Sequence, residues 1–382
     1  EVSQMSWETK TVMEQRKEFI IAASLEGANI SRLCREFGVS RKTGYKWINR
    51  AEMGLPLCDQ SRRPHRQPSK TADEIEQRII QMRLDHPAWG GKTIWAALEA
   101  AGVDGLPSTK TCCNILKRNG LIDPAESAKH TAFQRFEKEH CNEMWQTDFK
   151  GDFLLGNGVR CYPLTILDDH SRFSIRIEPK TSATGVKDSF IQAFQEFGLP
   201  NSVLSDNGSQ FAGAHRGLSQ FERFLMDLDI LPIHGRPIHP QTQGKIERFH
   251  RTLKKEALRV TPSNMEEARI RLDNWRWVYN EIRPHHSLGL KTPSSVYQPS
   301  TRSYYEPKPY IYDEGAKLIK VNNWGYIRFG PMQLFLSEAM ADTHVEIRFD
   351  DNDTFSILYR NYKIASVDAI EQKLVERHIR RL

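Results

Sequence analysis

The sequence predicts a multidomain chain, with α-helical domains first, an α/β core in the middle and a small all-β, barrel-like domain at the end. Three observations predict it. Helical spacing of apolar residues runs through residues 12–119, broken only by a basic, proline-bearing stretch. From Glu143 three β-rich runs appear, followed by alternating helix and strand patterns. From Tyr304 onward only short alternating strands and turns remain. At about 100–200 residues per domain, 382 residues make two to four domains.

The first helical domain spans residues 1–55. Val12, Phe19, Ile20 and Leu25 give a helix over 12–25. A second runs over 30–37, Gly38-Val39 makes a tight turn, and Ser40 caps a third helix reaching Met53. Cys34, four residues before Gly38, suits a small residue packed between two crossing helices. This is a helix-turn-helix pattern, whose third helix would carry Arg41, Lys42, Thr43, Tyr45 and Lys46 toward DNA. An ordinary three-helix bundle with a polar face is the alternative.

Net charge is +6, but its position matters more than its size. Residues 41–70 carry eight Lys/Arg against two Asp/Glu. Residues 56–70 form a basic linker whose Arg62, Arg63 and Arg66 can follow a DNA backbone or minor groove. A solvated basic linker is the plainer reading. Residues 71–122 predict a second three-helix, helix-turn-helix-like unit with near-neutral charge. Its helices cover 72–85, 92–101 and, capped by Ser108, 108–119. Such a unit binds DNA or serves structure and dimerisation. Residues 123–140 read as a linker.

Composition excludes other classes. With 39% hydrophobic and 27% charged residues, the chain is neither disordered, collagenous nor a coiled-coil rod. No apolar run approaches the roughly 18 residues of a membrane span. Six Cys without a CxxC pair make neither a disulfide framework nor a zinc site. The first residues show no secretory-signal pattern. A reducing, cytoplasmic setting is expected.

Residues 141–300 predict the α/β core. Its strands fall at 144–155, 160–167 and 172–178, then at 202–205 and 231–234. Helices fall at 183–197, 218–228, from Gln243, and over 264–283 with Trp275, Trp277 and Tyr279. Three antiparallel strands followed by helix-strand alternation is the order of a ribonuclease-H-like domain.

Three acids stand where that order gathers side chains. Asp148 lies in the first strand, in Trp145-Gln146-Thr147-Asp148. Asp206 ends the fourth strand, just before Asn207-Gly208, at the carboxyl end where α/β sites form. Glu247 lies one turn into the helix that begins near Gly244. Three carboxylates do not crowd together without a cation, because repulsion raises their pKa values. Hard oxygen donors suit Mg²⁺, with Mn²⁺ as a substitute, rather than zinc. Two such ions about 3.5–4 Å apart can drive an in-line phosphoryl transfer. The catalytic and metal-ligand expectation is therefore Asp148, Asp206 and Glu247. Lys245, Arg251 and Lys254 on the same helix are expected to meet DNA phosphates, Arg251 and Lys254 sharing the Glu247 face at i+4 and i+7. A solvated basic helix face is the alternative. Asp152 and the pair Asp168-Asp169 compete as ligands, although Asp168-Asp169 suit a hairpin turn. His285-His286 follow Pro284 at a helix end and read as structural or DNA-adjacent.

These motifs together resemble a known family. Asp148 in WxxD, Asp206 in SDNGSQF and Glu247 in HPQTQGKIERFH are similar to the Asp-Asp-Glu triad of bacterial insertion-sequence transposases with a retroviral-integrase-type core. The segments from Tyr279 to His285 and from Leu288 to Pro293 resemble that family's post-catalytic region, and residues 34–45 its first helix-turn-helix. The Asp206–Glu247 gap is longer than is common in that family, with the excess expected at 212–218. Gln243 stands where Asn is common. No zinc-binding His/Cys domain of the retroviral kind is present.

The resemblance implies an enzyme that binds the terminal inverted repeats of its element, cleaves the 3′ ends and joins them to target DNA. It implies double-stranded DNA as partner and a dimer or tetramer assembled on it. A non-catalytic DNA-binding regulator and a nuclease without strand transfer are the alternatives. Residues 301–382 would then be a small β domain for DNA or protomer contacts.

Overall fold

The computed structural model describes residues 10–59, 70–123, 137–213, 217–235, 244–350, 353–376 and 379–382. The chain divides into two compact units, residues 1–70 and 71–382.

In the first unit, α1 (Val12–Ala23), α2 (Ile30–Glu36) and α3 (Arg41–Glu52) form the expected trihelical layout. Local chemistry sets each start. Thr11 and Glu14 make a capping box, Asn29 accepts from the Arg32 amide, and the Ser40 hydroxyl accepts from the Thr43 amide. Gly38 turns the chain at φ +63°. Cys34 is buried, and a Cβ on Gly44 would come within 2.5 Å of its Sγ and 2.9 Å of Phe19. The crossing of α3 over α1 and α2 therefore requires a glycine on one side and a small residue on the other.

The second unit begins with α4 (Asp73–Asp85), α5 (Gly91–Ala100) and α6 (Thr109–Arg118), around Ile79, Trp89, Ile94, Cys112, Ile115 and Leu116. Val278 of the later α/β region packs against this cluster, so these helices sit directly on the core.

The core sheet contains β1 (Trp145–Phe149), β2 (Phe153–Leu154), β3 (Arg160–Asp168), β4 (Ser174–Lys180), β5 (Ser202–Ser205) and β6 (Leu231–His234). Its order is β4–β3–β1–β5–β6, with the short β2 also on β3. β1, β3 and β4 are antiparallel neighbours, whereas β5 and β6 run parallel to β1. The expected first strand over 144–155 is thus two pieces. Gly151, at φ +89°, breaks it, and β2 resumes pairing with the start of β3.

Two helix layers cover the sheet. On one face, Phe190 and Phe194 of α7 (Val186–Phe197) and Phe221 and Phe224 of α8 (Gln220–Asp227) pack on Trp145, Leu164 and Ile166. On the other, Phe249 and Leu253 of α9 (Gly244–Glu256) pack on Leu167 and Ile177, beneath Leu272 and Trp275 of α10 (Met265–Trp277). Tyr279, in the π-turn that follows α10, completes this second core, while Trp277 is exposed.

The C-terminal region contains β7 (Leu318–Lys320), β8 (Tyr326–Phe329), β9 (Met332–Phe335), β10 (His344–Phe349), β11 (Thr354–Tyr359), β12 (Tyr362–Asp368), β13 (Lys373–Glu376) and β14 (Arg380–Arg381). It is mainly β as expected, and barrel-like closure is not among the pairings of the described residues. One sheet runs β13–β12–β11–β10–β7 with β14 also on β12, and β8–β9 form a separate ribbon. This region is fused to the core. Met226 of α8 joins its apolar cluster, Arg360 faces Asp227 at 2.8 Å, and the Tyr359 hydroxyl donates to Asp227 at 2.6 Å. Among the described residues, no helix is long and apolar enough to cross a membrane.

A candidate active site at the carboxyl ends of β1 and β5

Strand register brings two of the three expected acids together. β1 and β5 are parallel, with Trp145 opposite Val203 and Gln146 opposite Leu204. Two residues further along each strand, Asp148 and Asp206 stand side by side. Asp206 follows the last residue of β5, and its carboxylate accepts the Gly208 amide at 3.0 Å. α9 crosses the same end of the sheet and presents Glu247 on its exposed side.

The electrostatics agree with that placement. Burial first, then the charges of Asp206 and Glu247, against the pull of the Phe149 amide, together push the Asp148 carboxyl up to about 7. The triad is one electrostatic group. Among the described residues, however, no set of three or more His, Cys, Asp or Glu is drawn tightly enough to hold one ion. The acids form a neighbourhood of hard oxygen donors rather than a finished coordination shell.

Several supporting residues escaped the sequence reading. His250, one turn beyond Glu247, is buried; its Nε2 lies 2.7 Å from the Thr165 hydroxyl, which itself donates to the Asp148 carbonyl at 2.8 Å. Because that hydroxyl proton is committed to a carbonyl, Nε2 is the donor and Nδ1 carries the lone pair. Nδ1 lies 3.8 Å from the Asp148 carboxylate. Burial, then the charge of Lys150, holds this imidazole down to about 3, so it is neutral. His234 Nε2 pairs with Glu222 at 2.8 Å, and its other nitrogen faces the Asp206 carbonyl and the Ser205 hydroxyl. Glu222 also takes the Ser219 and Gly213 amides, tying the loop after Asp206 to α8. Lys150, two residues past Asp148, is held below its ordinary pKa by burial and by the charge of Lys254. The available signal for His250 was its i+3 spacing from Glu247; for Lys150 and His234 there was none.

Other expected residues are placed as follows. Arg251 and Lys254 are exposed on α9 with Glu247. Lys245 does not join them; it pairs with the fully buried Asp169 at 2.5 Å. Lys245 lies two residues before Glu247, about 200° around the helix, and so faces the protein. Asp152 pairs with Arg160 on the neighbouring strand. Asp168 and Asp169 stand at the hairpin turn between β3 and β4, as expected. Both are buried, and Asp168 accepts from Asn142, from the Ser171 amide and from the Ser171 hydroxyl. His285 is buried against Tyr279 and is structural. In the first unit, Arg41, Lys42 and Tyr45 are exposed at the start of α3. Thr43 bonds to Ser40 within the cap, and Lys46 lies over Trp47 with Asp59 at 3.6 Å. Arg62, Arg63 and Arg66 lie outside the described residues, as does part of 212–218. A cavity of about 540 Å³ between Gln210, Lys187 and Ser337 has none of the three acids in its lining.

Sequence families match this arrangement. Residues 138–240 and 228–293 each match an Integrase core domain family. Residues 15–65 match a Helix-turn-helix domain and 43–116 a Homeodomain-like domain. The chain is similar to an insertion element IS476 protein of Xanthomonas euvesicatoria, 27% identical over 300 residues, covering 75% of this chain and 78% of that protein. It is also similar to transposase InsD of Escherichia coli insertion element IS2, 25% identical over 286 residues, covering 68% and 91%. Solved structures similar to the chain include a simian T-cell lymphotropic virus intasome chain in complex with a PP2A regulatory subunit, 18% identical, TM-score 0.38, covering 73% and 91%. Another is the HTLV-2 integrase catalytic core with magnesium, 21% identical, TM-score 0.32, covering 41% and 97%.

Proposed function

We propose that the chain is a DNA transposase of an insertion sequence, which cleaves the 3′ ends of its element and joins them to target DNA. The observation that supports this most is the parallel register that sets Asp148 beside Asp206, with Glu247 on the crossing helix. The helix-turn-helix regions would bind the terminal inverted repeats, with Arg41, Lys42 and Tyr45 as the exposed residues of α3. Joining two ends requires at least two protomers, so a dimer or tetramer assembled on double-stranded DNA is expected. A cytoplasmic, nucleoid-associated location follows from that substrate.

The donor chemistry fits a hard divalent cation. Burial raises the Asp148 pKa most, the negative charges of Asp206 and Glu247 add to it, and all three donors are oxygens. Asp148, Asp206 and Glu247 would hold Mg²⁺, two ions in all, with Mn²⁺ as a substitute. Bound there, the ions supply charge stabilisation for an in-line phosphoryl transfer. The chain's own residues do the rest. Lys150, Arg251 and Lys254 bring positive charge to the same rim and would position DNA phosphates. His250, neutral and fixed by Thr165, presents an acceptor nitrogen toward the carboxylates without adding charge.

A strand-transfer assay with end-sequence DNA, Mg²⁺ and a target plasmid tests the reading. Joined products support it. Cleavage without joining would favour a ribonuclease-H-like nuclease, and binding without products a regulator.

A further inference from the structure

A second acidic centre lies at the opposite end of β1 from Asp148. The Asp169 side chain is fully buried and holds three partners. One oxygen accepts from Gln146 Nε2 at 2.6 Å. The other accepts from Lys245 Nζ at 2.5 Å and from the Lys138 amide at 2.9 Å. Lys245 Nζ also reaches the Asp169 carbonyl at 3.3 Å.

The placement of these partners is specific. Gln146 stands two residues before Asp148 on β1. Lys245 stands two residues before Glu247 on α9. One carboxylate therefore ties together the strand that carries one metal-ligand candidate and the helix that carries another, each two residues before the acid it carries. β1 is already locked to β5 by its ladder, which fixes Asp148 against Asp206. No ladder fixes α9. Apolar packing through Ile246, Phe249 and Leu253 holds the helix down but specifies its slide and rotation only loosely. A short, buried, charge-assisted contact is directional and supplies that missing register.

We propose that Asp169 and Lys245 form a latch that positions Glu247 against Asp148, making Asp169 a positioning residue of the active site. This inference rests on the transposase reading of the Asp148–Asp206–Glu247 site. Residues that orient metal ligands without touching the metal change affinity about 10–100-fold when altered. A residue serving stability alone would lower the melting temperature and leave the affinity of the folded fraction unchanged.

The test uses the full-length chain, with Mn²⁺ binding followed by electron paramagnetic resonance and strand transfer followed on end-sequence DNA. Asp169→Asn leaves the Lys245 charge buried and unpaired, so it can fail to fold. The double variant Asp169→Asn/Lys245→Gln removes both charges and provides the folded comparison. Mn²⁺ affinity in the double variant is expected to fall about 10-fold or more, with kcat falling while KM for end DNA stays within about twofold. Lys245→Arg, which keeps the charge, is expected to recover most of the affinity. Unchanged Mn²⁺ affinity and kcat in the folded double variant overturns the latch. Asp148→Asn is the control. If it leaves Mn²⁺ binding intact, the reading of the site fails and the latch with it; if it abolishes binding while the double variant binds normally, only the latch fails.

Discussion

Two groups of acids sit at opposite ends of β1, and they are handled in opposite ways. At the amino end, Asp168 and Asp169 are wholly buried, yet each is surrounded by donors: Asn142 and Ser171 for one, Gln146, Lys138 and Lys245 for the other. At the carboxyl end, Asp148 is less buried, yet its carboxyl is pushed up to about 7 by burial and by Asp206 and Glu247. Burial by itself therefore does not mark a functional acid. A buried carboxylate that has its hydrogen-bond partners stabilises a fold, whereas carboxylates that face one another store repulsion that a cation can relieve. Burial raises Asp168 too, so the difference lies in its donors: one pair of acids is satisfied by hydrogen bonds, and the other is a candidate cation site.

The comparison can be broken most directly by neutralising the open end. Asp148→Asn, Asp206→Asn or Glu247→Gln should each lower strand transfer by about 10²–10³-fold or more while end binding in a gel-shift assay persists. Full activity in any of them would remove that acid from the site.

A second experiment tests what the paired acids do elsewhere in the fold. Asp227 receives Tyr359 and faces Arg360 at the junction with the C-terminal sheet. Asp227→Ala should destabilise the protein by about 2–3 kcal/mol in denaturant unfolding, because a half-buried guanidinium loses its partner. No change would mean that apolar contacts alone hold this junction.

The next effect has the opposite sign. The folded pKa of Asp148 lies above its ordinary value, so the ionised carboxylate works against folding. This destabilisation is absent below about 4 and fully present above about 7. In chelator-treated buffer, Asp148→Asn should therefore be more stable than the parent at pH 8 by on the order of 2 kcal/mol, and equal to it near pH 4. Thermal unfolding at the two pH values measures it, and a variant no more stable at pH 8 would refute the raised pKa of Asp148.

The smallest effect concerns the first unit. Replacing Arg41 or Lys42 with Ala should flatten the salt dependence of end binding by about one in log–log slope if either meets a phosphate. An unchanged slope would assign them to solvent.

Much of this was legible in the sequence because the signals were local. Ser40 and Ser108 cap helices as their side chains require, and strands 202–205 and 231–234 fall where β-branched and apolar runs predicted. Asp148, Asp206 and Glu247 were legible because each sits at a defined point of its element, before a turn or one turn into a helix. Lys245 was misread because two residues along a helix is about 200° around it, and a charge run does not say which charges face inward. Asp168-Asp169 do form the β3–β4 hairpin turn, with Asp168 accepting the Ser171 amide, but their burial was not legible; the Asp169 partners Gln146 and Lys245 lie 23 and 76 residues away.

The sequence by itself determined which stretches are mainly helical or mainly strand, several helix starts, and which three acids are candidates, since these follow from side-chain period, capping and turn chemistry within a few residues. Tertiary structure decided which acids face one another and which are neutralised. It also decided that the C-terminal strands are fused to the core, and that His250 and Lys150 stand beside Asp148. Those outcomes depend on the parallel register of β1 with β5 and on the crossing of α9, contacts between residues far apart in the chain, and no local pattern encodes them.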